Sequence, residues 1–367
     1  MRHLYLIFIS TILLGCIKEP EPGSGSNLDD FDRTQMLEDL SLNYIQPGYA
    51  EFQNKTLSFE LDWNNFKSAP NSSNLETLRT SLIELGLAWQ GVAFLEFGPA
   101  ADIALRAQTN VFPIDTSLIN SNISQSGYNL GSVSNFNAKG IQALDYLIFG
   151  EDSDNEQLSR LSNINDQQYV DDVINDMKNN ISYIINAWSS FHTEFVDNSI
   201  SNALGSAVSE SSNAFISHYE GYIRKGKVGL PLGVFNGFSQ AAMPGHVEGL
   251  YQDANLRYAS EACKMSLRFL NGQSFDGEED HLGLLDYCNY VDAIIDGEQL
   301  SSVINQQFNK VILLSNGVIN PWSTEVSSNA SNWSELYQEY QKIVPLLKVD
   351  LTSALGITVN YQDNDGD

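Results

Sequence analysis

The chain has 367 residues, enough for two domains or one large one, and its 42% hydrophobic and 11% aromatic content can furnish a substantial core. Its 46 acidic residues against 19 basic ones give a formal charge of −27. That field repels nucleic acid and anionic lipid surfaces, so neither is expected as a partner of the folded body. It favours cations without making a metal site, because a solvated acidic surface has the same composition.

At the N-terminus, Arg2 and His3 precede an apolar run from Leu4 to Leu14 that is too short to span a bilayer. The segment Leu13-Leu14-Gly15-Cys16 that follows resembles a bacterial lipobox. The resemblance implies a signal peptide over 1–15, cleavage before Cys16, lipid on its sulfur, and a lipoprotein of the bacterial outer membrane, facing either the periplasm or the outside. Residues 16–28 are Pro-, Gly- and Ser-rich and read as a flexible tether. Apart from Cys16 the chain has Cys263 and Cys288. Export permits a disulfide between them, yet both lie on apolar helical stripes, which suits two reduced core thiols equally well.

Beyond the tether the dominant period is helical. Leu75, Leu78, Leu82, Leu85, Trp89 and Val92 step by three and four, as do Val170, Val173, Met177, Ile181, Ile184, Trp188, Phe191 and Phe195. Leu256 to Leu270 and Leu336 to Leu347 repeat the pattern, with shorter helical stretches at 30–46, 200–222, 282–296 and 299–315. Lys55–Asp62 is the clearest strand-like alternation. These patterns predict an all-α protein built as two packed helical bundles, 29–200 and 201–367. Two long irregular segments interrupt them, at 107–136 and 226–249. The second is glycine-rich but contains Val234, Phe235, Phe238 and Met243, so it is expected to be ordered and packed.

Four places could carry chemistry. The helix Gly140-Ile-Gln-Ala-Leu-Asp-Tyr-Leu-Ile-Phe is apolar nearly all round, so it should be buried. Its exceptions, Gln142 and Asp145, lie one turn apart and need partners. They are either a hydrogen-bonded pair inside a bundle or part of a site. Glu96 falls where the Leu75–Val92 stripe calls for an apolar residue; it marks a helix end, as Gly98-Pro99 suggests, or a buried polar site. Glu248, after the glycine-rich segment, could meet the N-terminal dipole of the next helix. Arg224-Lys225-Gly226-Lys227 is the one basic cluster, read first as a solvated helix end, and otherwise as an offset to local negative charge or a place to hold an anion.

His192, His218 and His246 each stand two residues before a glutamate, a spacing poorly suited to joint ligation from one helix face, and these pairs read as coincidence. There is no His-Glu-x-x-His helix, no Cys-x-x-Cys pair and no Gly-x-Ser-x-Gly elbow. The tail Asp363-Asn-Asp-Gly-Asp367 has the start of a calcium loop without its downstream glutamate.

The lipobox, the all-helical pattern, Ala88-Trp89, Phe97-Gly98-Pro99 and Gly140–Gly150 together resemble imelysin-like proteins. The C-terminal Leu346–Val359 run with Asp363–Asp367, like the middle with Gly233-Val-Phe235, Pro244, Val247-Glu248 and Tyr251, resembles their Bacteroidetes branch. The resemblance implies two helical bundles meeting at a cleft, and association with bacterial iron uptake. It also brings a Gly-x-His-x-x-Glu signature, proposed in the family as a metal or ligand site. Here Gly140 is kept, Gln142 replaces the histidine and Asp145 the glutamate. Gln is a weak neutral ligand where imidazole is a common one, so the substitution points away from a transition metal and toward binding.

The expectation is therefore a lipid-anchored binding protein without catalytic residues, its cleft lined by Trp89, Glu96, Gln142, Asp145 and Glu248. No metal ligands are assigned; iron or another metal ion stays open as a cofactor, and an outer-membrane iron transporter as a partner. The rival readings are an imelysin-type metallopeptidase, which needs a metal-held water and a general base, and a structural accessory lipoprotein.

Overall fold

The computed structural model describes residues 29–361. The lipobox with Cys16, the tether and the 363–367 tail lie outside the described residues. Residues 31–361 form one compact unit. It is all-α, and its strands among the described residues are the two-residue pair Ile294–Ile295 and Glu298–Gln299, joined through Asp296 and Gly297 with positive φ.

The first layer is a helical hairpin. Helix Gln46–Ser68 continues directly from the π-helical run Leu40–Ile45, carries Pro47 in its first turn, and buries Tyr49, Phe52, Thr56, Phe59, Trp63 and Phe66, a strict three-and-four stepping. This overturns the strand expected at Lys55–Asp62. In that stretch Leu57 and Leu61 are exposed, and the buried positions, Thr56 and Phe59, continue a stripe that runs on both sides. The short alternation is embedded in a longer helical period.

Helix Ser72–Gln90, capped by the Asn71 side chain accepting from Asn74 N at 3.0 Å, returns along it and buries the predicted leucine stripe and Trp89. Helix Ile164–Asp197 packs across Gln46–Ser68 with its apolar stripe inward. The Gly140–Phe149 helix is wedged between Ser72–Gln90 and Ile164–Asp197, which accounts for its lack of a polar face.

The later part of the chain repeats the layering. Helix Ala207–His218, capped by Ser206, widens into a π-helical run Tyr219–Gly229. Helices Arg257–Leu270, Leu300–Asn316 and Ser334–Pro345 pack in sequence against it and one another. Packing also crosses position 200, since Arg257–Leu270 lies against Ser72–Gln90.

Both segments expected to be irregular contain structure. The first holds helices Leu105–Thr109 and Thr116–Gln125 and a 3-10 turn Val133–Ala138. In the second, Val234 and Phe235 pack on the core while Phe238 is fully exposed. Cys263 and Cys288 are free buried thiols.

Candidate functional site

Gly140 sets the geometry. Its φ is +75°, and a Cβ there would lie 2.1 Å from the Thr109 carbonyl oxygen, so only glycine lets the helix start so close to the 105–109 segment. That approach delivers the next residue, Asn110, to the helix: Gln142 Nε2 donates to Asn110 Oδ1 at 2.9 Å. Gln142 Oε1 accepts from Gly249 N at 2.8 Å. One turn further on, Asp145 accepts from Tyr251 N through Oδ2 at 2.9 Å and from Gln252 N through Oδ1 at 3.0 Å. The polar pair on the apolar helix therefore clamps the 249–252 turn by its backbone. Both side chains are buried.

Glu248 is the next link. Its Oε1 accepts from Asn110 Nδ2 at 2.7 Å and from Gln90 Nε2 at 3.1 Å, and its Oε2 pairs with Lys227 Nζ. Glu248 and Lys227 are each 5% exposed or less. Two expectations are corrected here. The helix after Glu248 begins only at Arg257, so Glu248 meets a lysine where a helix dipole was expected. The basic cluster is no solvated helix end, because Arg224 and Lys227 are buried; Arg224 lies 3.5 Å from Glu220 and donates to the Tyr337 hydroxyl at 3.2 Å.

The structure thus joins Gln142, Asp145 and Glu248 in one network. Glu96 sits apart, half-buried, with Oε2 accepting from Arg106 N at 3.0 Å. Trp89 is in the core, packed on Phe52 at 5.3 Å between centroids. Sequence reasoning missed Gln90, Asn110 and Lys227. Lys227 had one available signal, a lone basic cluster beside a glycine-rich segment. Gln90 and Asn110 had none.

Burial dominates the electrostatics. It pushes the Asp145 carboxyl up to about 7, even though the Tyr251 and Gln252 N–H groups favour its ionised form. Glu96 is raised by burial against the opposing pull of Arg106. His218, fully buried with no partner at either ring nitrogen, is driven well below its usual value by burial, with Arg106 and Lys227 adding to the effect.

A cavity of about 40 Å³ beside Gln142 and Asp145 is bounded by Phe112, Pro113 and Tyr251, room for roughly one water. The residues do not fit a resident transition metal. Both Asp145 oxygens and the Gln142 oxygen already accept backbone N–H groups. Among the described residues, no group of three or more His, Cys, Asp or Glu side chains is placed to hold an ion.

The comparisons agree with the architecture. The imelysin family model matches residues 45–344. A search of curated protein sequences returns no match. Among solved structures, an imelysin-like protein from Psychrobacter arcticum superposes with a TM-score of 0.65 and a candidate iron-regulated protein A precursor from Parabacteroides distasonis with 0.72. Each is 16% identical, and each match covers 90% of this chain and 97% of the other. Among the described residues no helix is long and apolar enough to cross a membrane. With the family model spanning most of its length, the chain belongs to the imelysin family.

Proposed function

We propose that this is a non-catalytic imelysin-family protein of the cell envelope, lipid-anchored through Cys16, that binds a ligand or partner in iron uptake. The observation that carries the reading is the clamp: the two signature positions after Gly140 are spent on holding the 249–252 turn. A metallopeptidase needs a metal-held water with a general base beside it, whereas each Asp145 oxygen is already engaged by a backbone N–H and, among the described residues, no group of three or more His, Cys, Asp or Glu side chains is placed to hold an ion. The lipobox-like Leu13-Leu14-Gly15-Cys16 supports the anchor, and the name carried by the Parabacteroides distasonis structure supports the link to iron.

In this reading Gln142, Asp145 and Glu248 belong to the binding region as its rigid frame. They fix the 248–252 turn, and with it Tyr251, which packs on Tyr146 at 5.0 Å between centroids. The test is digestion of insulin and casein by the purified protein, with and without chelator. No cleavage above the protein-free control is expected; cleavage abolished by chelator would overturn the proposal.

A further inference from the structure

A second feature lies away from the clamp. A groove of about 770 Å³ runs between helices Gln46–Ser68 and Ser72–Gln90 on one side and helix Arg257–Leu270 with the 274–279 loop on the other. Its floor is apolar, with Leu42, Leu87, Met265 and Phe275. Pro47, Glu51 and Lys55 mark successive turns along one wall, a length of about 12 Å at 1.5 Å per residue.

The groove is built rigidly. Phe275 is wedged against two glycines: a Cβ on Gly48 would lie 2.8 Å from its ring and one on Gly91 2.6 Å. Its N–H donates to Asn43 O at 2.8 Å, its carbonyl accepts from Arg268 Nη1 at 2.7 Å, and its ring meets Tyr44 edge-on. Such a loop is pre-organised, which lowers the ordering cost of binding.

The charge around this floor is one-sided. Six carboxylates line the groove, Glu51, Glu84, Glu261, Asp276, Glu278 and Glu279, against the lining cations Lys55 and Arg268; off the lining, Lys264 lies 3.4 Å from Glu261 and His281 3.4 Å from Glu279. Lys55 is already held by Glu84 at 2.8 Å and Glu51 at 3.8 Å, and Arg268 is turned onto the Phe275 carbonyl. The carboxylates come from both walls and from the loop, so they are placed for several cations spread along a ligand. A single quaternary cation would call for an aromatic cage, and Phe275 is the one aromatic side chain on the lining.

We propose that this groove docks a basic amphipathic helix of a partner protein, its apolar face on the Leu42–Phe275 floor and its flanking lysines or arginines on the acidic rims. The apolar floor supplies the helix-in-groove contact, and long basic side chains can lay their stems on apolar surface while reaching the carboxylates. The site shares no residue with the Gln142–Asp145 network, so it stands or falls separately from the reading above.

The probe is a fluorescent helical peptide of Leu and Lys, with leucines at three- and four-residue spacing and a length of about 14 residues, titrated into the purified protein by anisotropy. We expect saturable binding that weakens with salt. The triple variant Glu261→Gln, Glu278→Gln, Glu279→Gln should weaken it about ten-fold or more. Replacing the half-exposed Leu42 by Ser should weaken it about three-fold. A control triple at the exposed Glu76, Glu298 and Glu335, changed to Gln, should stay within about two-fold. A peptide with Ser for Leu should bind much more weakly, and one with Glu for Lys should not bind. Equal weakening by the control triple, tight binding of spermine or of the Lys/Ser peptide, or no binding of the Leu/Lys peptide would each overturn the proposal.

Discussion

Replacing Asp145 by Asn tests the clamp through its pH dependence. The carboxylate offers one oxygen to each of the Tyr251 and Gln252 N–H groups, at 2.9 and 3.0 Å. Asparagine offers one oxygen and one NH₂, so one buried backbone donor would face another donor, a cost of about 1–3 kcal/mol. Against that, the variant carries no buried charge. Burial raises the folded Asp145 pKa to about 7 from its ordinary 3.8, so the folded state holds its proton more tightly than the unfolded state.

The Asp145 contribution to stability is therefore fully present below the unfolded pKa and is lost as pH rises through the folded one. Between about pH 5 and pH 8 this loss is about 2–3 kcal/mol. The substituted amide cannot titrate, so the stability gap between wild type and Asp145→Asn should close, or reverse, by that amount over the same range. Urea unfolding of both proteins at the two pH values measures it, and all other titrating groups cancel in the difference. A gap independent of pH would show that burial does not hold Asp145 near neutrality and would refute the reasoning.

Other perturbations have defined outcomes. Gly140→Ala places a Cβ 2.1 Å from the Thr109 carbonyl oxygen at a positive φ. It should cost upward of about 4 kcal/mol, read as a large drop in melting temperature or in soluble yield. Lys227→Met strands the buried Glu248 carboxylate and should cost about 3–5 kcal/mol. Adding Glu248→Gln should restore much of that loss in a double-mutant cycle. Burial pushes the Cys263 thiol up to about 12 and the Cys288 thiol up to about 11. Neither should be alkylated in the native protein at neutral pH, and both should label fully after unfolding, as peptide mapping by mass spectrometry would show.

The helices were legible because their apolar stepping extends over many turns, as from Leu75 to Trp89 and from Val170 to Phe195. The misread segment, Lys55–Asp62, shows the limit: an eight-residue window can alternate by chance, and only the stripe from Tyr49 to Phe66 discloses the helix. At the site, the two polar residues on an apolar helix announced that partners must exist. The partners could not be read, because they arrive from far along the chain and through groups that carry no side-chain signal. Asp145 is satisfied by two backbone N–H groups more than a hundred residues away. Asn110 is an ordinary residue in a polar segment until the tight start of the Gly140 helix brings it to Gln142 and Glu248. The burial of Lys227 is equally invisible locally, since charge neutralisation by Glu248 is a tertiary event.

The central claim is that the signature positions hold a turn and do not hold a metal. Equilibrium dialysis of the purified protein against ferrous iron and zinc, with bound metal measured by mass spectrometry for wild type, Gln142→Ala and Asp145→Asn, tests it most directly. The expected result is no stoichiometric tight binding in the wild type that these two substitutions remove. One equivalent of metal bound by the wild type and lost in both variants, with their folds intact by circular dichroism, would contradict it.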